Sequence, residues 1–176
     1  MQQNDDKSYY YYRKACDLGH PRGCNNVAVS YMIGRGVRKN PVEAFSAFKK
    51  GCDVGHDGAC YGYANRLMTG SGADIDYDIA LDLHEQLCGR SFFKACNSYG
   101  IMLHNGFGTN VDNERAFEAF ARACEGEVKE GCRNAGLLAA SFSILSAPEN
   151  ASSNNLKRGC DLGDDVSCDA LPSIEE

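Results

Sequence analysis

Apolar residues run along this chain in short stretches at helical spacing, each broken by a glycine pair or a polar turn. Val27 and Tyr31 share a helical face and lead into Gly34-Arg35-Gly36, which predicts a helix closed by a glycine turn. Ala44, Phe45 and Phe48 then mark a second amphipathic stretch, from about Pro41 to Lys50. Pro41 suits the first turn of that helix, where a missing N–H costs nothing. The predicted unit is helix A, glycine loop, helix B and a short turn.

The unit recurs. Gly34-Arg35-Gly36 returns as Gly70-Ser71-Gly72 and Gly106-Phe107-Gly108, and Glu43-Ala44-Phe45 as Ile79-Ala80-Leu81 and Arg115-Ala116-Phe117. The ten cysteines keep the same register: Cys16 and Cys24, Cys52 and Cys60, Cys88 and Cys96, Cys124 and Cys132, Cys160 and Cys168. Each pair reads C-x7-C, and each follows the last by 36 residues without a slip, which marks a repeat protein. The expected layout is a single repeat domain over 1–176. It comprises a partial repeat 1–15, full units 16–51, 52–87, 88–123 and 124–159, and a partial unit 160–176.

Eight residues of unbroken helix would separate two Cα atoms by about 12 Å. A disulfide needs less than about 7 Å. Bridging within a pair therefore requires the chain to reverse, and a stretch such as Asp17-Leu18-Gly19-His20-Pro21-Arg22-Gly23 suits a reversal. Each bridge would tie the end of helix B to the start of the next helix A and contribute about 2–3 kcal/mol. Zinc is the rival explanation, but its sites usually show C-x2-4-C spacing, which x7 fits poorly. Local disulfides are the expectation.

Composition narrows the function. Apolar residues make up 43% and charged residues 24%, ordinary for a soluble globular protein, and the net charge of −6 disfavours nucleic acid. No stretch approaches the roughly 20 apolar residues of a membrane span, so no membrane insertion is expected. The chain opens Met-Gln-Gln-Asn-Asp-Asp, without the apolar segment of a signal peptide.

The run Ala28, Tyr31, Gly34-x-Gly36-Val37, Glu43-Ala44 and Phe48-Lys49-Lys50 resembles the Sel1-like repeat, a relative of the tetratricopeptide repeat. The added C-x7-C at each B-to-A junction resembles the Helicobacter cysteine-rich protein family. The resemblance implies an all-α, right-handed α/α solenoid with a concave binding face, in a secreted or periplasmic setting. It also implies a protein or peptide partner, or, as the enzyme alternative, weak penicillin binding with β-lactamase activity. An envelope assembly or immunity factor with one dedicated partner is the third class. No cofactor and no metal are expected.

Two regions depart from the pattern. Phe142-Ser143-Ile144 stands where the fourth glycine loop should be, and Ser152 and Ser153 occupy usual apolar positions, as in a capping repeat. At the other end Met1 aligns with Val37, so the chain should begin in a loop and enter helix B directly. Tyr9 and Tyr12 then stand where Phe45 and Phe48 do, partly uncovered. Omission of a preceding segment, export signal included, is the expected cause; self-association through this edge is the alternative.

Candidate chemistry is sparse. Ser-x-x-Lys occurs at Ser46–Lys49 and Ser91–Lys94, without Ser-Asp-Asn-like or Lys-Thr-Gly-like partners. Chance supplies about one such match, and Ser46 is replaced by Asp82 and Glu118 in neighbouring repeats. His20 and His56 share a turn position and are expected to lie exposed beside helix ends, whereas His84 and His104 show no repeat equivalents. The stronger candidates for partner binding begin helix A: Asn25 and Asn26, Tyr61, Asn97, Arg133 and Asn134. On the inner curve their amides would form a ladder able to bind the backbone of an extended peptide. They would otherwise serve local backbone bonds at a helix start. The loops around Arg35, Ser71 and Phe107 are further contact candidates.

Overall fold

The computed structural model describes residues 2–141, 147–148 and 150–171. The replaced glycine loop at 142–144 lies outside them. Among the described residues all regular structure is α-helix. The helices are α1 (Gln2–Asp17), α2 (Pro21–Ile33), α3 (Pro41–Asp53), α4 (Asp57–Thr69), α5 (Tyr77–Gly89), α6 (Phe93–Asn105), α7 (Asn113–Glu125), α8 (Lys129–Ser141), α9 (Ala151–Asp161) and α10 (Asp165–Ala170). The B helices end at residues 17, 53, 89, 125 and 161, and the A helices begin at 21, 57, 93, 129 and 165. The 36-residue ruler therefore sets both boundaries of every B-to-A turn.

Local chemistry explains the helix ends. Helices α2, α4 and α6 stop at Gly34, Gly70 and Gly106, whose φ of 75°, 70° and 72° is left-handed. Their N–H groups return to Ser30, Arg66 and Met102 carbonyls, which closes the last turn. Pro41 opens α3 and Asn40 caps it, accepting from Val42 N and Glu43 N. α1 differs from the expectation, being helical from Gln2. Asn4 and Asp5 stand where Asn40 and Pro41 do, so no proline enforces a helix start there.

By compactness the chain divides into unit 1, Met1–Leu83, and unit 2, His84–Glu176, with the boundary inside α5. All five local disulfides are formed, 16–24, 52–60, 88–96, 124–132 and 160–168, and no cysteine is free. Their Cα–Cα distances of 4.4–4.7 Å lie at the short end of the range for such bridges. Small side chains beside the bridge ease such close approach. At four bridges the residues just before the cysteines supply them: Ala15 against Gly23, Gly51 against Ala59, Ala123 against Gly131 and Gly159 against Ser167; at 88–96 the preceding residues are Leu87 and Ala95. A Cβ on any of these glycines would collide with its partner.

A second repeated device joins successive B helices. Lys50 Nζ approaches Asp17, Arg122 donates to the Gly89 carbonyl and Arg158 to the Glu125 carbonyl. These three residues share one register, and each places positive charge at the carbonyl end of the preceding helix B.

The core follows one helix B position through all repeats. Phe48 and Phe120 are 3% exposed, Leu156 is fully buried, and His84 takes the same slot at 0%. Tyr12, the first member, is 37% exposed, and its neighbours Tyr10 and Tyr11 are more open. Tyr9 joins the core, edge-on to Tyr31, with their hydroxyls 2.8 Å apart.

Candidate functional site

The residues proposed for partner binding all lie in the first turn and a half of helix A and are all half-buried. In unit 2 the structure brings several of them together. Asn134 Nδ2 donates to Asn97 Oδ1 at 2.9 Å, joining α8 to α6. Arg133 reaches the other way, its Nη1 2.9 Å from Asp164 Oδ1. Asp164 is 4% exposed and caps α10 by accepting from Ser167 N, so Arg133 also acts as a structural strut. In unit 1 Asn25 packs near Gly58 at the start of α4, while Asn26 and Tyr61 lie half-buried on α2 and α4.

Arg133 and Asn134 line a cleft of about 360 Å³ between α6 and α8. Phe120 of α7 forms its floor and Leu138 one wall. Across from them stand Ile101, His104 and Asn105 of α6. His104 Nδ1 lies 2.7 Å from Asn113 Oδ1, which fixes the ring. Asn105 Nδ2 donates to the Ile101 carbonyl at 2.8 Å. A larger hollow of about 500 Å³ runs along the turns at 91–94 and 126–130, but its rim mixes Lys94 and Lys129 with Glu127 and Glu130.

The same seam exists two repeats earlier, within unit 1, and it is filled. Arg66 holds the position of Leu138, and its guanidinium sits 5.6 Å over the ring of Phe48, the counterpart of Phe120. An Arg66 amino group also meets the Met32 sulfur, and Met32 is the counterpart of His104. Burial lowers the Arg66 guanidinium from its usual pKa. No other repeat carries a histidine at the position of His104; its counterparts are Met32 and Met68, which differ from it in chemistry. Aligning the units at 36 residues and asking where a charged or titratable side chain replaces an apolar one would have found both Arg66 and His104.

The remaining candidates separate from this face. Ser46 is exposed on α3, and the Lys49 ammonium turns to Asp53 at 2.9 Å, a pair that raises the lysine pKa. A lysine held charged in this way is a poor base for Ser46. Ser91 is exposed in a turn with φ of 63°. His56 is half-buried rather than exposed: it caps α4, its Nδ1 accepting from Ala59 N at 3.0 Å. That bond needs an unprotonated nitrogen, which suits a helix N-terminus better than a cation would. Among the described residues no group of three His, Cys, Asp or Glu side chains is placed to hold a metal ion. Nor is any described helix long and apolar enough to cross a membrane.

Stacked helix pairs on a fixed period define an all-α repeat solenoid. The profile of the Sel1 repeat matches residues 1–20, 21–56, 58–89 and 93–127, well over half the chain, and the chain belongs to that family. Repeats of this family typically mediate protein–protein interaction. No curated protein matches the chain. Among solved structures, a Sel1 repeat protein from Oxalobacter formigenes aligns with a TM-score of 0.80 at 22% identity, over 90% of this chain and 65% of that one. The protective antigen c5321 of uropathogenic Escherichia coli, which displays an SLR fold, gives 0.85 at 18%, over 94% and 36%. Helicobacter pylori cysteine rich protein B gives 0.58 at 22%, over 75% and 95%. The chain thus spans less than two thirds of the first two, and at these identities the likeness is one of fold.

Proposed function

We propose that this is a disulfide-stapled Sel1 repeat protein of an oxidising compartment outside the cytoplasm, which binds a peptide or protein partner on its helix A face. The observation that carries the reading is the open α6–α8 cleft, where Asn134, its amide held by Asn97, meets an apolar floor. Apolar volume with a few fixed polar groups is the usual make-up of a recognition site. The bridges support the compartment, because cysteines seldom persist as structural disulfides in the cytosol. The fold likeness to the Helicobacter pylori protein supports the same setting.

Peptide display against the immobilised, oxidised protein tests the binding face. Enriched peptides should lose at least tenfold in affinity on Asn134→Ala or Asn97→Ala, with the melting temperature little changed. Peptides that bind both variants as they bind the parent would place recognition elsewhere. The compartment is tested separately, by alkylating native protein before and after reduction. Thiols that react before reduction would refute it.

A further inference from the structure

We infer that the α6–α8 cleft seats an arginine side chain of the bound partner. The inference rests on the peptide-binding reading and gives it a specificity. Its template is internal: in the equivalent seam of unit 1, the chain's own Arg66 lies over Phe48 with its tip against Met32. Unit 2 repeats that seam with Phe120 at the floor, but Leu138 replaces the arginine and about 360 Å³ stands open. A guanidinium is flat, weakly hydrated and attracted to an aromatic face, so it can leave water for such a slot more readily than an ammonium.

Charge points the same way. Unit 1 carries ten basic and ten acidic side chains and unit 2 eight and fourteen, so the whole net charge of −6 falls in unit 2. The cation lining the cleft, Arg133, is already paired with Asp164. Asn134 and Asn105 each spend one of two amide N–H groups, on Asn97 and on the Ile101 carbonyl, which leaves each side-chain oxygen able to accept from a ligand beside one remaining N–H. These oxygens can accept from a guanidinium, and the negative charge of unit 2 favours a cation over a carboxylate. An acidic or purely aliphatic side chain would use this lining less well.

The test uses three probes on the isotope-labelled, oxidised full chain: acetyl-Ala-Arg-Ala-amide, acetyl-Ala-Met-Ala-amide and acetyl-Ala-Glu-Ala-amide, followed by amide NMR. The arginine probe should shift Asn105, Asn134 and Leu137 and bind at least fivefold more tightly than the other two. Leu138→Arg, which copies unit 1 and fills the cleft from within, should weaken it at least tenfold. Because Leu138 is buried and that variant can misfold, Asn134→Asp provides a second arm and should tighten the arginine probe several-fold. The inference is overturned if the methionine probe binds the cleft as well as arginine does, or if Asn134→Asp leaves the arginine probe unchanged. In both cases the binding face survives. Should none of the probes perturb any helix A residue up to 10 mM, on the order of the weakest useful affinity, both readings fall.

Discussion

The α2–α4 seam of unit 1 and the α6–α8 seam of unit 2 are built on the same register, yet one is full and the other open. Two phenylalanines explain much of the difference. The Phe48 ring leans onto α4, where only a glycine at 62 admits it; a Cβ there would strike the ring. The Phe120 ring leans the other way, onto α6, where Gly100 makes the room. In unit 2 the counterpart of Gly62 is Asn134, and in unit 1 the counterpart of Gly100 is Ala28. The glycine's location thus decides which neighbour receives the ring, and the vacated side becomes either Arg66's resting place or a cleft. A repeat protein can diversify a surface by moving one glycine while its helix boundaries stay fixed.

Truncating the two rings gives the largest expected effect. Phe48→Ala and Phe120→Ala should each cost about 3–5 kcal/mol, the range for a buried aromatic. Phe48→Ala should be worse by about 1 kcal/mol, since it also leaves a half-buried guanidinium without its aromatic face. Urea titrations of both variants decide the matter. Equal losses would mean that Arg66 gains nothing from the ring and that the contrast between the seams is one of shape alone.

Position 84 lies midway between those rings in register, and it holds a histidine. Burial pushes the His84 pKa down to about 4 from its ordinary 6.5. Above pH 6.5 the ring is neutral in both folded and unfolded chains and has no effect on stability. As pH falls below 6.5 the unfolded chain takes the proton first, so stability declines until the folded ring titrates near 4. The full loss is about 3 kcal/mol. Replacing His84 by Phe, the residue of both neighbouring repeats, should remove that part of the decline between pH 7 and 4. A variant whose stability falls with pH as steeply as the parent's would show that this ring is not held neutral.

The glycines themselves come next in size. Gly62→Ala and Gly100→Ala should each destabilise by about 1–3 kcal/mol through overpacking against Phe48 and Phe120. Gly89→Ala is the control, because a Cβ there meets nothing within 4 Å. If all three behave alike in thermal melts, the ring positions are not set by these glycines.

Much of this fold is legible from spacing. Every B-to-A turn, every disulfide and the glycine stops of α2, α4 and α6 fall where a 36-residue register puts them, because each depends on local chain reversal or capping. The small residues beside four of the five bridges obey the same register and could have been read with it, Leu87 being the exception. The cleft could not. Asn97 and Asn134 stand out as polar residues at a helix start, but their pairing needs two A helices to meet at one height. The void beside them depends on the tilt of a ring, set by glycines 20 residues before and 14 after the phenylalanines concerned. Arg133 is legible as polar, but its pairing with Asp164, in the turn before α10, is not.

The smallest effect on stability belongs to the variant that tests the comparison most sharply. Arg66→Leu copies unit 2 into unit 1. It loses a cation–π contact worth about 0.5–2 kcal/mol but also removes a partly desolvated charge, so the net change should stay within about 1 kcal/mol. Its effect on binding should be larger. With the arginine gone, the space over Phe48 becomes a second cleft, walled by Met32 in place of His104, while the ring itself covers Gly62, the counterpart of Asn134. Calorimetric titration with acetyl-Ala-Arg-Ala-amide should then show two sites instead of one, the new one weaker because no amide oxygen replaces Asn134 there. A single site of unchanged affinity would mean that the α2–α4 helices close over the vacancy, and that the two seams differ in backbone as well as in side chains.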